Sequence, residues 1–121
     1  MATLLVNTGR AIVTNRINSG GTIPQWIGWG TGAGTTTGSD TTLFTEVGSR
    51  VSGTVTQQTT ATTNDTYQVV GTLTSGSSQT ITNAGVFDAV SSGNLFVKGD
   101  FTGLALVSGD SIQFTVRVQF S

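Results

Sequence analysis

The sequence predicts an all-β protein, built as an antiparallel β-sandwich or a jelly-roll-like barrel of about eight strands. Residues 110–121 alternate apolar and polar side chains, as a strand with one buried face does. Threonine makes up about a fifth of the chain and favours strands, whereas the 17 glycines and frequent serines favour turns. Turn-forming residues recur about every 8–12 residues, and no long stretch has helical periodicity. These observations together are typical of sandwiches and barrels.

The final strand is the strongest single signal. Its apolar side chains all fall on one face, and burying them is expected to contribute about 10 kcal/mol, at about 1.5–3 kcal/mol each. A second apolar face, supplied by the other strands, is therefore required to cover it. The residues of this apolar face are Ile112, Phe114, Val116, Val118 and Phe120.

Residues 1–17 are predicted to form an N-terminal arm or the first hairpin of the sandwich, ahead of a single β-sandwich domain over 18–121. Two short apolar pieces flank a turn at residues 7–9, and Arg10 and Arg16 bracket the second piece. An N-terminal strand is easily donated to the edge of another sheet. The alternative to a hairpin is therefore a segment that packs on a neighbouring chain.

Residues 23–30 are predicted to form a strand that lies at an edge or begins after Pro24, because proline cannot donate to a ladder. Trp26 and Trp29 have opposite parity, so we expect one in the core and the other at the surface or in an interface. The glycine-rich run at 30–34 lacks the spacing of a nucleotide-binding loop, and no helical pattern follows it.

The remaining elements follow in order along the chain. Residues 43–47 are compatible with a helical turn, in which Glu46 and Arg50 would pair four residues apart. Lys98 and Asp100 are expected to share a solvated face of their strand. Strands are predicted at 50–56, 67–73, 79–82, 86–90 and 95–101, the last two forming a hairpin.

Composition excludes several classes of function. The chain has no histidine and no cysteine, which removes the usual catalytic triads and the commonest ligands for transition metals. Only 9% of residues are charged and the net charge is −1, so nothing attracts nucleic acid or an anionic membrane. No segment has the length of a signal peptide's or a membrane helix's apolar region. We therefore expect no enzyme activity, no cofactor, no metal, no nucleic acid and no membrane partner.

An ordered series of motifs resembles small structural proteins of tailed bacteriophages, among them capsid cement (decoration) proteins and some tail-associated β-domains. The resemblance covers most of the chain from about residue 9 onward. It implies a β-rich and often trimeric protein that binds the virion shell without catalysis. The motifs are WIGWGTG (26–32), TLFTEV (42–47), TITNAGVFD (80–88), GNLFVKGDF (93–101) and GDSIQFT (109–115).

The resemblance leads us to expect a homotrimeric cement protein on the capsid exterior that bridges major capsid subunits. The expected partner-binding residues lie in the arm, and one tryptophan of the pair is expected between protomers. The alternative is a receptor- or glycan-binding β-domain of a tail fibre or baseplate, since exposed tryptophan with amides and hydroxyls suits sugar recognition. The expected site residues are Leu4, Val6, Arg10 and Arg16 for the partner, and Trp26 and Trp29 for the protomer interface.

Overall fold

The structure, a computed structural model, describes residues 3–121. It contains two antiparallel sheets, one of five strands in the order β1-β7-β6-β2-β3 and one of three in the order β4-β5-β8. The predicted all-β sandwich of about eight strands is therefore confirmed. The elements are β1 (Thr3–Leu5), α1 (Asn7–Ile17), β2 (Trp26–Gly30), β3 (Glu46–Ser52), β4 (Thr54–Gln58), β5 (Thr66–Thr74), β6 (Gln79–Phe87), β7 (Leu95–Leu106) and β8 (Ser111–Gln119).

The chain crosses between the two sheets at three places after β3. β3 and β4 are separated only by Gly53, which makes them neighbouring edges of the two sheets on one side of the sandwich. The β5–β6 and β7–β8 crossings lie beside each other. There the Ser75 N–H donates to the Asp110 carbonyl (2.7 Å) and the Gly109 N–H donates to the Ser75 carbonyl (2.8 Å).

The main core lies between the sheets and is built mostly from residues of their strands, with Ile12 contributed by α1. Ile27 and Trp29 of β2 share a face because they are two residues apart, and both are buried. The Trp29 ring meets Phe114 of β8 edge to face, with ring centroids 6.4 Å apart. The other buried members of this cluster are Ile12, Val69, Leu73, Ile81, Ala84, Val86, Phe96 and Val97.

The alternation predicted for the final strand is confirmed, but its burial is shallower than predicted. Every second residue of β8 is only half-buried, because β8 is the outermost strand of the smaller sheet. Phe120 lies beyond the end of β8 and is 49% exposed. The estimate of about 10 kcal/mol for this face, which assumed full burial, is accordingly too large.

The hairpin predicted near the N-terminus is wrong. A short strand, β1, pairs with β7, and the helix α1 follows it; residues 1 and 2 of the predicted arm lie outside the described residues. A side-chain carbon on Gly9 would lie 2.0 Å from the Phe96 carbonyl oxygen, so the helix backbone packs directly on β7. The Thr8 hydroxyl fastens it by donating to the Leu95 carbonyl (2.7 Å). Among the described residues, no helix has the length and apolarity needed to cross a membrane.

A second apolar cluster lies on the outer face of the larger sheet, where the long connection between β2 and β3 crosses it. This cluster contains Val6, Leu43, Phe87 and Leu95. Gly85 leaves the space that the connection needs, since a side-chain carbon there would lie 2.9 Å from the Leu43 Cδ2. The helical turn predicted at 43–47 is absent, and β3 instead begins at Glu46.

Candidate functional site

Lys98 is the most deeply buried charged residue and is not at the solvated face that the sequence predicted. Its ammonium donates to Asp40 Oδ2 (2.9 Å) and to the Thr42 carbonyl (2.9 Å). It also lies 3.2 Å from the centroid of the Phe44 ring. Burial acts to raise the pKa of Asp40, but hydrogen bonds from Lys98 and Thr37 bring that pKa below its ordinary value. The pair fastens the β2–β3 connection onto the sheet, which is a structural role.

A second ion pair is also structural. Arg50 donates to Glu46 Oε2 (2.7 Å), so the predicted pairing is present although both residues lie on β3 rather than on a helix. The same guanidinium lies 3.4 Å from the Phe87 ring centroid and donates to the Ala89 and Ser92 carbonyls. Within residues 3–121, no three side chains of the histidine, cysteine or acidic types are grouped to hold a metal ion.

The partner-binding residues predicted in the arm are placed in different environments. Leu4 is 37% exposed on β1, opposite Lys98 in the strand register. Val6, in contrast, is fully buried in the second apolar cluster, directly before α1. Val6 is therefore not available to touch a partner, and its assignment to that surface is withdrawn.

The two predicted arginines remain on the surface, on α1. Arg10 is exposed and donates to the Asn7 side chain (2.8 Å). Arg16 lies in the last turn of the helix, where a cation complements the helix dipole. Its guanidinium donates to the Gly21 carbonyl (3.1 Å). Neither arginine is in an ion pair within the described part of the chain.

The tryptophans face opposite sides of β2, as their parity predicted. Trp29 is 2% exposed in the main core, so it is not available as an interface between protomers. Trp26 is half-buried and packs against the second apolar cluster. Trp26 is thus the member of the pair that can still contact a second protomer, and that role stays a prediction.

An apolar recess of about 180 Å³ lies between α1 and the end of β8, and we call it the helix notch. Ile17 and Phe120 flank it and are 80% and 49% exposed. The Tyr67 hydroxyl donates to the Pro24 carbonyl (2.7 Å), and burial raises the pKa of Tyr67 to about 12, against the opposing effect of Arg16. The notch is lined by Ile12, Val13, Arg16, Ile17, Pro24, Tyr67, Phe96 and Phe120.

A second recess of about 340 Å³ runs along the free edge of β8, and we call it the β8 groove. Its apolar walls include Phe101 and Phe114, whose ring centroids are 6.3 Å apart. The two recesses share no lining residue. Local sequence patterns predict neither recess, because each combines residues from elements far apart in the chain.

Comparisons with known proteins add no identification. A scan against protein-family models, a search of curated proteins and a search of solved structures each found no match to this chain.

Proposed function

We propose that this protein is a capsid cement protein of a tailed bacteriophage, which binds the outside of the head as a homotrimer and bridges major capsid subunits. The observation that supports this proposal is the presence of two apolar recesses with separate linings, the helix notch and the β8 groove. A bridging protein needs at least two contact surfaces, whereas a simple adhesion domain needs one. The motif resemblance gives the virion context.

The proposed mechanism is stabilisation by selective binding. A protein that binds the assembled shell, and not its separated subunits, stabilises the shell by mass action. The helix notch has the composition of an interface centre. It is an apolar recess that exposes Ile17 and Phe120 and has Arg16 at its rim. The sparse surface charge is consistent with contact between proteins rather than with chemistry.

The location and copy number of the protein in purified particles test the proposal directly. Quantitative mass spectrometry and labelling of virions of the encoding phage should find hundreds of copies, all on the head. A handful of copies on the tail would favour adhesion instead, and absence from the particle would refute both roles. Light scattering of the purified protein tests the trimer separately.

Ile17→Asp tests the helix notch as a shell-binding surface. Because Ile17 is 80% exposed, the protein should still fold despite a cost of about 0.3–1 kcal/mol for an acidic side chain at the C-terminus of α1. A charge in an apolar contact should weaken binding to undecorated heads at least about 30-fold, or about 2 kcal/mol. Val90→Asp is the matched control, since Val90 is 54% exposed and lies outside both recesses. Equal binding by the two variants would remove the notch from the proposal.

The alternative, a receptor- or glycan-binding domain of a tail fibre or baseplate, is favoured by one feature. A shallow cleft of about 400 Å³ brings the half-buried Trp26 together with Gln25, Thr22 and Asp88. An aromatic ring beside amide, hydroxyl and carboxylate groups suits a sugar. Binding on a glycan array that Trp26→Ala abolishes would support this alternative, and an array without any binding would count against it.

A further inference from the structure

We propose that the β8 groove accepts an extended segment of another polypeptide, which adds a fourth strand to the smaller sheet. The segment has alternating apolar residues and carries a carboxylate that pairs with Arg117. This inference concerns a binding mode and does not depend on the location of the protein in a virion.

The two sheets differ in width on the side of β8. β3 and β4 place their edges side by side, and β5 contacts β2 and β3. Counted from that side, the smaller sheet ends at its third strand, β8, while the larger sheet continues through β7 to β1. No strand therefore opposes the inner face of these last strands, and α1 covers it only near Phe96. Thr3 and Gly99, which are paired in the register of β1 and β7, line the recess that results.

The free edge of β8 has little of the protection that sheet edges usually carry. Sheet edges are normally blocked by proline, bulges or charged side chains, lysine above all. β8 contains no proline, no lysine and no register shift over its nine residue pairs with β5, and Arg117 is its single charge. Its other edge has no partner strand within the described residues. Such an edge is a template for strand addition.

The geometry selects a single extended segment as the occupant rather than a second copy of this sandwich. A copy paired through β8 would bring its own β7 and β1 over the same space that the first copy's overhanging strands occupy. One strand meets no such obstacle. Its inward side chains would fill the groove beside Phe101, Phe114 and Val116, all half-buried.

Charge determines the polar side of the occupant. The Arg117 guanidinium donates to Gln68 Oε1 (2.7 Å) on the neighbouring strand and is in no ion pair among the described residues. A carboxylate on the added strand, at the position directly opposite Arg117, would complement the charge of the guanidinium. Opposite charges at such cross-strand positions are favourable, and like charges are unfavourable.

The probe is the blocked peptide acetyl-Thr-Val-Glu-Val-Thr-Val-Thr-amide, mixed at millimolar concentration with the full chain. Hydrogen exchange should slow at the amides of β8 when the peptide binds. A peptide with proline in place of both the central valine and the threonine after it should give no protection, because one of these two successive N–H groups faces β8 in either register and proline has no N–H to donate. Lysine in place of the glutamate should weaken binding about fivefold, and Arg117→Gln should abolish that difference.

Two valines of the smaller sheet provide a matched pair of variants. Val116→Lys places a charge in the β8 groove and should abolish peptide binding. Val55→Lys places a charge on β4, the opposite edge strand of the same sheet, and should leave peptide binding unchanged. Circular dichroism verifies that both variants fold, and Arg117→Gln supplies a readout that does not perturb the core. Absence of protection at saturating peptide, or equal binding of the proline peptide, would overturn the proposal. Protection of β8 that rises with protein concentration alone would assign the edge to a second copy and would also overturn it.

Discussion

Replacing Gly9 by alanine is expected to destabilise the protein, although alanine is the better helix former. In an exposed helix the change would stabilise by about 1 kcal/mol. Here the added carbon would lie 2.0 Å from the Phe96 carbonyl oxygen and 2.8 Å from the Leu5 Cδ1. The first of these atoms belongs to the backbone of a central strand and cannot move aside. The helix must instead shift outward by about 1 Å or more.

The shift has two costs that together exceed the gain in helix propensity. Overpacking of this kind costs about 1–3 kcal/mol. Moving the helix also lengthens the 2.7 Å hydrogen bond from Thr8 to Leu95, worth about 0.5–1.5 kcal/mol, and loosens the contacts of buried Ile12. We expect a net loss of about 2 kcal/mol, which is a substantial fraction of the stability of a single domain.

Urea unfolding followed by circular dichroism measures this loss. Gly76→Ala is the control, because a side-chain carbon at Gly76 meets no atom within 4 Å. The control should unfold at nearly the wild-type midpoint. If Gly9→Ala were as stable as the wild type, or more stable, the direct packing of the helix backbone on β7 would be wrong.

Two further predictions concern the connection between β2 and β3. Asn83→Ala should lower the free energy of unfolding in urea by at least about 2 kcal/mol. The reason is that the buried Asn83 amide accepts from the Phe44 N–H and donates to the Phe44 carbonyl (3.0 Å each), and its loss leaves both groups unpaired. An unchanged unfolding midpoint would contradict this. Because the folded-state pKa of Asp40 is lowered, its contribution is present above about pH 4 and is lost as the pH falls through that lowered pKa. Asp40→Asn should therefore lose less stability than the wild type between pH 4 and pH 2, a difference that unfolding curves at the two pH values would reveal or exclude.

The candidate sites were only partly predictable, for reasons that particular residues make clear. The exposure of Arg10 and Arg16 followed from their charge, but their helix had only a weak signal in the spacing of its apolar residues Ile12, Val13 and Ile17. That signal was outweighed by residues that form helices poorly, such as the threonines and asparagines of α1. Tertiary packing on β7 overrides their propensity, and no local pattern reports such packing.

The burial of Val6 was also not predictable from the local sequence. In the sequence it is one apolar residue of a short piece near the N-terminus, and apolar residues there suit a donated arm as well as a core. Its burial depends on Leu43, Phe87 and Leu95, which come from three other parts of the chain. The burial of Lys98 likewise depends on Asp40, 58 residues away.

The sequence by itself determined the class of fold, the alternating faces of the strands and the opposite orientations of Trp26 and Trp29, because these follow from the two-residue period of a strand. It also excluded histidine and cysteine chemistry by composition. Only the tertiary structure decided that β8 lies at an edge and is half-buried, that the larger sheet extends past it, and that two apolar recesses result. The physical reason is that side-chain direction is set by neighbouring residues, whereas strand order and the space between sheets are set by contacts between distant segments.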